Sequence, residues 1–264
     1  MHLSGLYIYP IKSARGISLQ SAQLDARGLQ FDRRWMVVDD QGHFLTQRKL
    51  PRMALIHIDL REDCIAISAE SMSELTIPLH TKGAETVRVR IWDDSLDALD
   101  AGTDAGSWFS KFLGFRCGLV QMPEKEARFA NPKYALQNSP VSFVDAYPVL
   151  LMTEASVDDL NGRLQQPVPM NRFRPNVVIS GSAAYEEDTW QRVKIGTVSF
   201  LVAKPCVRCA VPTVDQNTGV VGKEPIRTLQ TYRTFDSKLC FGQNLVHESQ
   251  GVLRIGDTVS VTSR

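Results

Sequence analysis

Two cysteines, Cys206 and Cys209, lie three positions apart in the run from Lys204 to Gly219, with Arg208 between them. A thiolate is a soft metal ligand and a strong nucleophile. A thiol beside an arginine, just past the end of a strand, can be held ionised and reachable. Three plainer readings stand next to that one. The pair can be half of a zinc site, although no second Cys or His pair lies at a suitable spacing. It can be a redox dithiol, although the strand-then-helix setting of that motif is missing. It can also be two buried structural cysteines. Lys12 and Ser13 follow a strand and a Tyr-Pro turn, where an ammonium, a hydroxyl and backbone N–H groups can hold a phosphate; a solvated loop is the plainer reading. Arg33 and Arg34, just ahead of a strand, read the same way. Arg174 precedes Pro175, which biases its backbone to be extended, and Asn176 opens an apolar strand. An arginine fixed there can make bidentate bonds to an anion or a surface salt bridge. Asp215 reads as an Asx-turn residue rather than a catalytic acid.

Other chemistries are missing. There is no Gly-x-Gly-x-x-Gly fingerprint, the Gly219–Lys223 stretch lacks P-loop spacing, and no His-Glu-x-x-His occurs. The 264 residues carry 30 basic and 29 acidic side chains, a net charge of +1. That balance asks for neither nucleic acid nor a membrane surface. An apolar share of 43% supports a substantial core. Five scattered cysteines do not form a secreted disulfide framework. The N-terminus has no basic start or long apolar stretch, and no apolar run approaches a membrane span. A soluble, cytoplasmic protein is expected.

The elements that must position these residues are mostly strands. Strands are expected at Leu6–Tyr9, over Ile17–Leu24, and at Leu55–Leu60, Cys64–Ser68, Leu75–Leu79 and Val87–Ile91. Trp35–Val38 and His43–Thr46 read as a hairpin. This spacing is that of a sandwich or barrel. A helix is expected over Asp104–Leu113, capped by Thr103 and ended by Gly114. Residues 123–140 lack periodicity and read as a linker or mobile loop between regions 1–122 and 141–264. Beyond it come a strand at Val149–Met152 and a helix from Glu154 to about Leu164, capped by Thr153. Strands follow at Asn176–Ser180, Val193–Ile195, Val198–Ala203, Asn244–His247 and Val252–Val261, with a short helix over Pro225–Tyr232.

Taken in order, Tyr9 to Ser13, Asp32 to Trp35, Asn171 to Asn176, Cys206 to Cys209, Thr213 to Asp215, Gly219 and Phe241 to Asn244 resemble the motifs of MOSC-domain proteins. Within that family the likeness is to the amidoxime-reducing components and their bacterial counterparts. The resemblance covers nearly the whole chain. It implies a mostly β protein with a few helices: a β-barrel MOSC fold plus a smaller N-terminal β subdomain, whose first strand packs with the barrel so that Lys12 meets Cys209. It implies a molybdenum–molybdopterin (Moco) enzyme that reduces small N-hydroxylated compounds, with Cys209 as the molybdenum ligand. Lys12, Ser13, Arg34, Ala146, Tyr147, Arg174, Asn176, Arg208 and Asn244 would surround the cofactor; pyridoxal phosphate is not expected. Electrons would come from a separate donor protein, a reductase with an iron–sulfur or haem carrier. The rival reading is a non-catalytic carrier of the cofactor or of a sulfane sulfur.

Overall fold

The computed structural model describes residues 1–80, 83–125, 128–134 and 139–263. They form a mostly β protein with three α-helices among the described residues. The largest sheet runs, strand by neighbouring strand, through Ile17–Ser18, His2–Ile8, Val177–Ser180, Val149–Thr153, Lys238–His247, Val198–Val207, Trp190–Ile195 and Val259–Ser263. Thr234–Phe235 pairs with Lys238–His247 at the side. The alternation that a pleated strand imposes sends Leu3, Leu6, Leu151, Ile179, Trp190, Val193, Phe200 and Leu245 into one core. Among the described residues, only Val149–Thr153 and Val177–Ser180 run parallel within this sheet.

The first strand of the chain belongs to this sheet. His2–Ile8 pairs antiparallel with Val177–Ser180, from His2 opposite Ser180 to Leu6 opposite Val177. Its other side takes Ile17–Ser18. Lys12 and Ser13, in the loop between these partners, are therefore carried to the second half of the chain.

The expected closed barrel is an open sheet. No ladder among the described residues joins Val259–Ser263 to the far end. The ends touch through the bridge of His2 with Thr258 and the bonds from Leu3 N to Asp257 O (2.9 Å) and Val259 N to Met1 O (3.0 Å). The stretch expected as one strand, Val252–Val261, is broken by a turn in which Arg254 N donates to Asp257 Oδ2. Its first part, Gly251–Arg254, leaves the sheet to pair with Ser21–Asp25.

The first half adds a four-stranded sheet in the order Trp35–Asp39, Cys117–Gln121, Asp94–Asp100, Thr86–Ile91, and a three-stranded one of His57–Leu60, Cys64–Ser68 and Leu75–Pro78. Two of these strands escape a sequence reading. In Asp94–Asp100 the acids surround the inward Leu96 and Ala98, and Cys117–Gln121 is nearly all buried. Cys117–Gln121 pairs with one edge of Trp35–Asp39. The expected returning strand at His43–Thr46 lies on the other edge, through Asp39 N to His43 O (2.9 Å) and Leu45 N to Val37 O (2.8 Å), and makes only single bridges, Phe44 to Val38 and His43 to Arg90. A 3-10 turn, Pro51–Leu55, opens the stretch expected as extended from Leu55. In the span 123–140, Arg128–Phe129 pairs with Pro140–Val141; residues 126–127 and 135–138 of the expected linker lie outside the described residues.

Helix Thr103–Leu113 buries Trp108, Phe109, Phe112 and Leu113 and ends at Gly114 (φ 86°). Its cap position is Gly102, with no side-chain bond, rather than Thr103. Helix Glu154–Arg163 is capped by Thr153, whose Oγ1 accepts from Ser156 N (3.3 Å). Thr153 Oγ1 and Ser156 Oγ also donate to the fully buried Glu187 carboxyl. Burial raises the Glu187 pKa, against those hydroxyl bonds. Thr153→Val keeps the shape and removes both bonds, so it should destabilise the fold by about 1–3 kcal/mol in urea titrations. A change within about 0.5 kcal/mol would show that the cap contributes little. No helix among the described residues is long and apolar enough to cross a membrane.

Candidate functional site

A cavity of about 240 Å³ opens where the two halves of the chain meet. Lys12, Ser13, Arg33, Thr46 and Arg48 reach it from the first 50 residues. Asp145 to Tyr147, Arg172 to Arg174, Asn176, Lys204, Cys206 to Cys209 and Asn244 reach it from the second half. Of the residues singled out from the sequence, Lys12, Ser13, Ala146, Tyr147, Arg174, Asn176, Arg208, Cys209 and Asn244 come together here. Arg34 does not. Its guanidinium bonds Asp25 Oδ2 (2.6 Å) on a separate cavity lined by Phe31, Trp35 and Met122. The arginine on the site is its neighbour, Arg33.

Arg33 is turned inward by its backbone. Its φ of 49° is left-handed, held because its N–H donates to Tyr9 O (2.9 Å) and its carbonyl accepts from Phe143 N (3.0 Å). Ser13 (φ 67°) and Arg174 (φ 55°) share that conformation, so Arg174 is not extended as its proline neighbour suggests. Left-handed backbone in non-glycine residues is uncommon and costs of order 1–3 kcal/mol each. Three such residues on one cavity therefore mark a pre-set arrangement.

The cavity is strongly basic although the chain is nearly neutral. Lys12, Arg33, Arg48, Arg172, Arg174, Lys204 and Arg208 face one carboxylate, Asp145. Lys12 Nζ donates to Phe143 O (2.9 Å) and Asp145 Oδ1 (2.5 Å). Burial pushes the Lys12 pKa down, against the pull of Asp145. Burial also opposes ionisation of Asp145, but Lys12, Arg33 and Arg48 outweigh it and lower its pKa to about 2. The guanidinium carbons of Arg174 and Arg33 lie 4.2 and 4.4 Å from the Tyr9 ring centre.

Not every cation is free to meet a ligand. Arg172 ties the 212–215 loop through Pro212 O (2.8 Å), Thr213 O (3.1 Å) and Asp215 Oδ2 (3.1 Å). Arg208 donates to Phe241 O (2.8 Å), Phe173 O (3.0 Å) and Met152 Sδ (3.0 Å), so its guanidinium is spent on the scaffold rather than on a thiolate. Gly242 (φ 75°) makes room for that packing, since a Cβ there would strike Met152 Sδ and Leu151 O. The Asn176 amide accepts from Arg33 Nη1 (3.0 Å) and Leu150 N (3.1 Å) and donates to Tyr7 O (3.1 Å). Asn244 Nδ2 is 3.4 Å from Pro205 O. Arg174 uses Nη1, towards Ala14 O (2.7 Å) and Gln216 Oε1 (3.4 Å). Lys204 makes no ion pair among the described residues and stands 5.4 Å from the Tyr147 ring centre.

The strand expected to stop before the cysteines continues to Val207. Cys206 is thus on the strand and partly buried, and burial raises its pKa. Cys209 follows the strand end and is exposed. A 3-10 turn, Val211–Thr213, then leads to Asp215, whose Oδ1 accepts from Asn217 N, Thr218 N and Thr218 Oγ1 in an Asx turn. No group of three or more His, Cys, Asp or Glu among the described residues could hold a metal ion alone. What the cavity can do is draw in an anion-bearing group and offer it one reachable thiol. Arg48, Asp145 and Lys204 were missed from sequence, and Arg33, read there alongside Arg34, was passed over for it in the cofactor set. Lys204 adjoins the cysteine motif, which is a usable signal; Arg48 and Asp145 sit in loops with none.

The MOSC N-terminal beta barrel domain matches residues 1–116 and the MOSC domain residues 138–260. The chain is 37% identical over 277 residues to the mitochondrial amidoxime reducing component 2 of Bos taurus, covering 97% of this chain and 82% of that protein. It is 37% identical over 272 residues to the mitochondrial amidoxime-reducing component 1 of Mus musculus, covering 96% and 80%. Component 2 of Homo sapiens is 36% identical, covering 96% and 81%. The YUAD protein of Bacillus subtilis, a solved structure, aligns over 99% of this chain and 95% of its own with a TM-score of 0.45 and 11% identity.

Proposed function

Because this chain belongs to the MOSC-domain family, with amidoxime-reducing components among its relatives, we propose that it is a molybdenum-cofactor-dependent reductase of N-hydroxylated compounds. The observation that carries this reading is one exposed thiol, Cys209, on a cavity lined by seven cations. That donor set fits molybdopterin. A phosphate and a polar pterin suit the basic wall, and a metal that brings its own dithiolene sulfurs needs one thiolate from the protein rather than a ligand cluster. Cys209 would hold the metal. Lys12, Ser13, Arg33 and Arg174 would hold the phosphate and pterin, with Ala146, Tyr147, Asn176, Arg208 and Asn244 shaping the pocket. When bound, the cofactor supplies the two-electron chemistry that converts N–OH to N–H with release of water. The protein's part is to attract, orient and shield. Arg48 and Lys204 extend the positive field of the lining, and the buried Tyr147 side chain gives it an apolar face.

The two electrons need a source. Cys64, Cys117 and Cys240 lie on three different strands, so they do not assemble a ferredoxin-type site. The chain has no dinucleotide fingerprint. We propose that the donor is a separate protein. Holoprotein with NADH alone should leave benzamidoxime unreduced, and adding a reduced viologen or a reductase with its iron–sulfur or haem carrier should start turnover. Sustained NADH-driven turnover by the chain alone would refute a separate donor. Bound cofactor without turnover under any low-potential donor would identify a carrier instead.

A further inference from the structure

The lone acid in the basic cavity is arranged as more than a counterion. The Asp145 side chain is 65% exposed. Its Oδ1 accepts from Lys12 Nζ (2.5 Å) and from Trp92 Nε1 (3.3 Å). Among the described residues its Oδ2 has no partner. Both donors are fixed. Lys12 is buried and also bonded to Phe143 O. Trp92 sits in the turn between Thr86–Ile91 and Asp94–Asp100 with φ 55°, its ring 5.0 Å from that of Phe44 and 4.5 Å from the Arg48 guanidinium carbon. The carboxylate is thus oriented by two clamps on one oxygen, which leaves the other available in the cavity wall.

We infer that Asp145 selects the substrate: its free oxygen accepts an N–H from a nitrogen on the same carbon as the N–OH group. The inference rests on the reductase reading above. Asp145 is the one carboxylate among the seven cations that line the cavity, so its fixed oxygen is the strongest acceptor there for an amidine-type N–H. The cavity then favours amidoximes and N-hydroxyguanidines over hydroxamic acids, which carry a carbonyl oxygen in that place. A polar site built around one hydrogen bond discriminates against an analogue that cannot make it. The pKa of about 2 keeps Asp145 an acceptor across the physiological range.

Asp145→Asn provides the test. Lys12 and Trp92 are both donors, so the amide oxygen must take the place of Oδ1 and the NH2 must take that of Oδ2. The acceptor becomes a donor with no change of shape. With holoenzyme and a reduced viologen, kcat/KM for benzamidoxime should fall at least ~10-fold, mainly through KM. For benzhydroxamic acid it should hold or rise. A second readout needs no turnover. Trp92 is the exposed tryptophan of the four, at 39%, so benzamidine binding should quench fluorescence in the wild type, with the affinity at least ~10-fold weaker in Asp145→Asn. An equal loss with both substrates would overturn the inference, since Asp145 would then act only through Lys12. Unchanged kinetics would overturn it as well. If the wild type reduced neither compound, the reductase reading would fall while the benzamidine titration still decided the acceptor: weakened binding supports it and unchanged binding overturns it.

Discussion

Cys209→Ser is expected to abolish turnover, by on the order of 100-fold or more, while Cys206→Ser leaves most of it. The two thiols share a cavity but not a setting. Cys209 is exposed beyond the strand end; Cys206 is on the strand, partly buried, with its pKa pushed up by burial. Serine offers a hard, protonated oxygen where a soft thiolate is needed. Cys209→Ser should therefore also change the absorption and EPR spectra of the bound molybdenum, and Cys206→Ser should not. Wild-type spectra and turnover in both variants would sink the ligand assignment. If the dependence fell on Cys206 instead, the strand thiol would be the ligand.

Arg174→Ala is expected to empty the cavity of cofactor. The guanidinium is 8% exposed and faces Tyr9, with Nη1 on Ala14 O and Gln216 Oε1. Burial lowers its pKa to about 10, which leaves it charged at neutral pH. Removing one partner of a desolvated charge pair costs on the order of 2–5 kcal/mol, a fall in affinity of roughly 30-fold or more. The same change leaves Ala14 O without its donor, so a stability loss of about 1–2 kcal/mol comes with it. Circular dichroism and thermal melting separate the two effects. A folded variant should hold little molybdenum and molybdopterin when expressed in a host that makes them. A folded Arg174→Ala protein with full cofactor content would count decisively against the role.

The strand content was legible because it rests on alternation and turn residues, as in Cys64–Ser68 or Val198 onward. What failed was the partnering of strands. Nothing local says that Gly251–Arg254 leaves the main sheet, or that Cys117–Gln121 pairs with Trp35–Asp39. The motif residues pointed to most of the cavity, but Arg33 and Arg34 could not be told apart. In a regular strand, neighbours face opposite ways and the register decides; here a left-handed turn at Arg33 sets its direction, and that turn is imposed by Tyr9 and Phe143, far off in sequence. Arg208 shows the reverse. Its place beside the thiols suggested an electrostatic role, while the fold uses it to bond carbonyls of Phe173 and Phe241.

The pairing of His2–Ile8 with Val177–Ser180 has a consequence for how the chain is made. On a ribosome the first strand emerges early, yet its partner is synthesised more than 170 residues later. Until then Leu3, Leu6 and Ile8 have no sheet to enter, and such long-range pairing is slow and exposed to aggregation. The second half, released without the first, would present the four buried residues of Val177–Ser180 as an open, mostly apolar edge. Excising residues from about 138 onward should thus yield insoluble protein, and supplying a peptide of the first 20 residues in trans should recover part of it by completing the sheet.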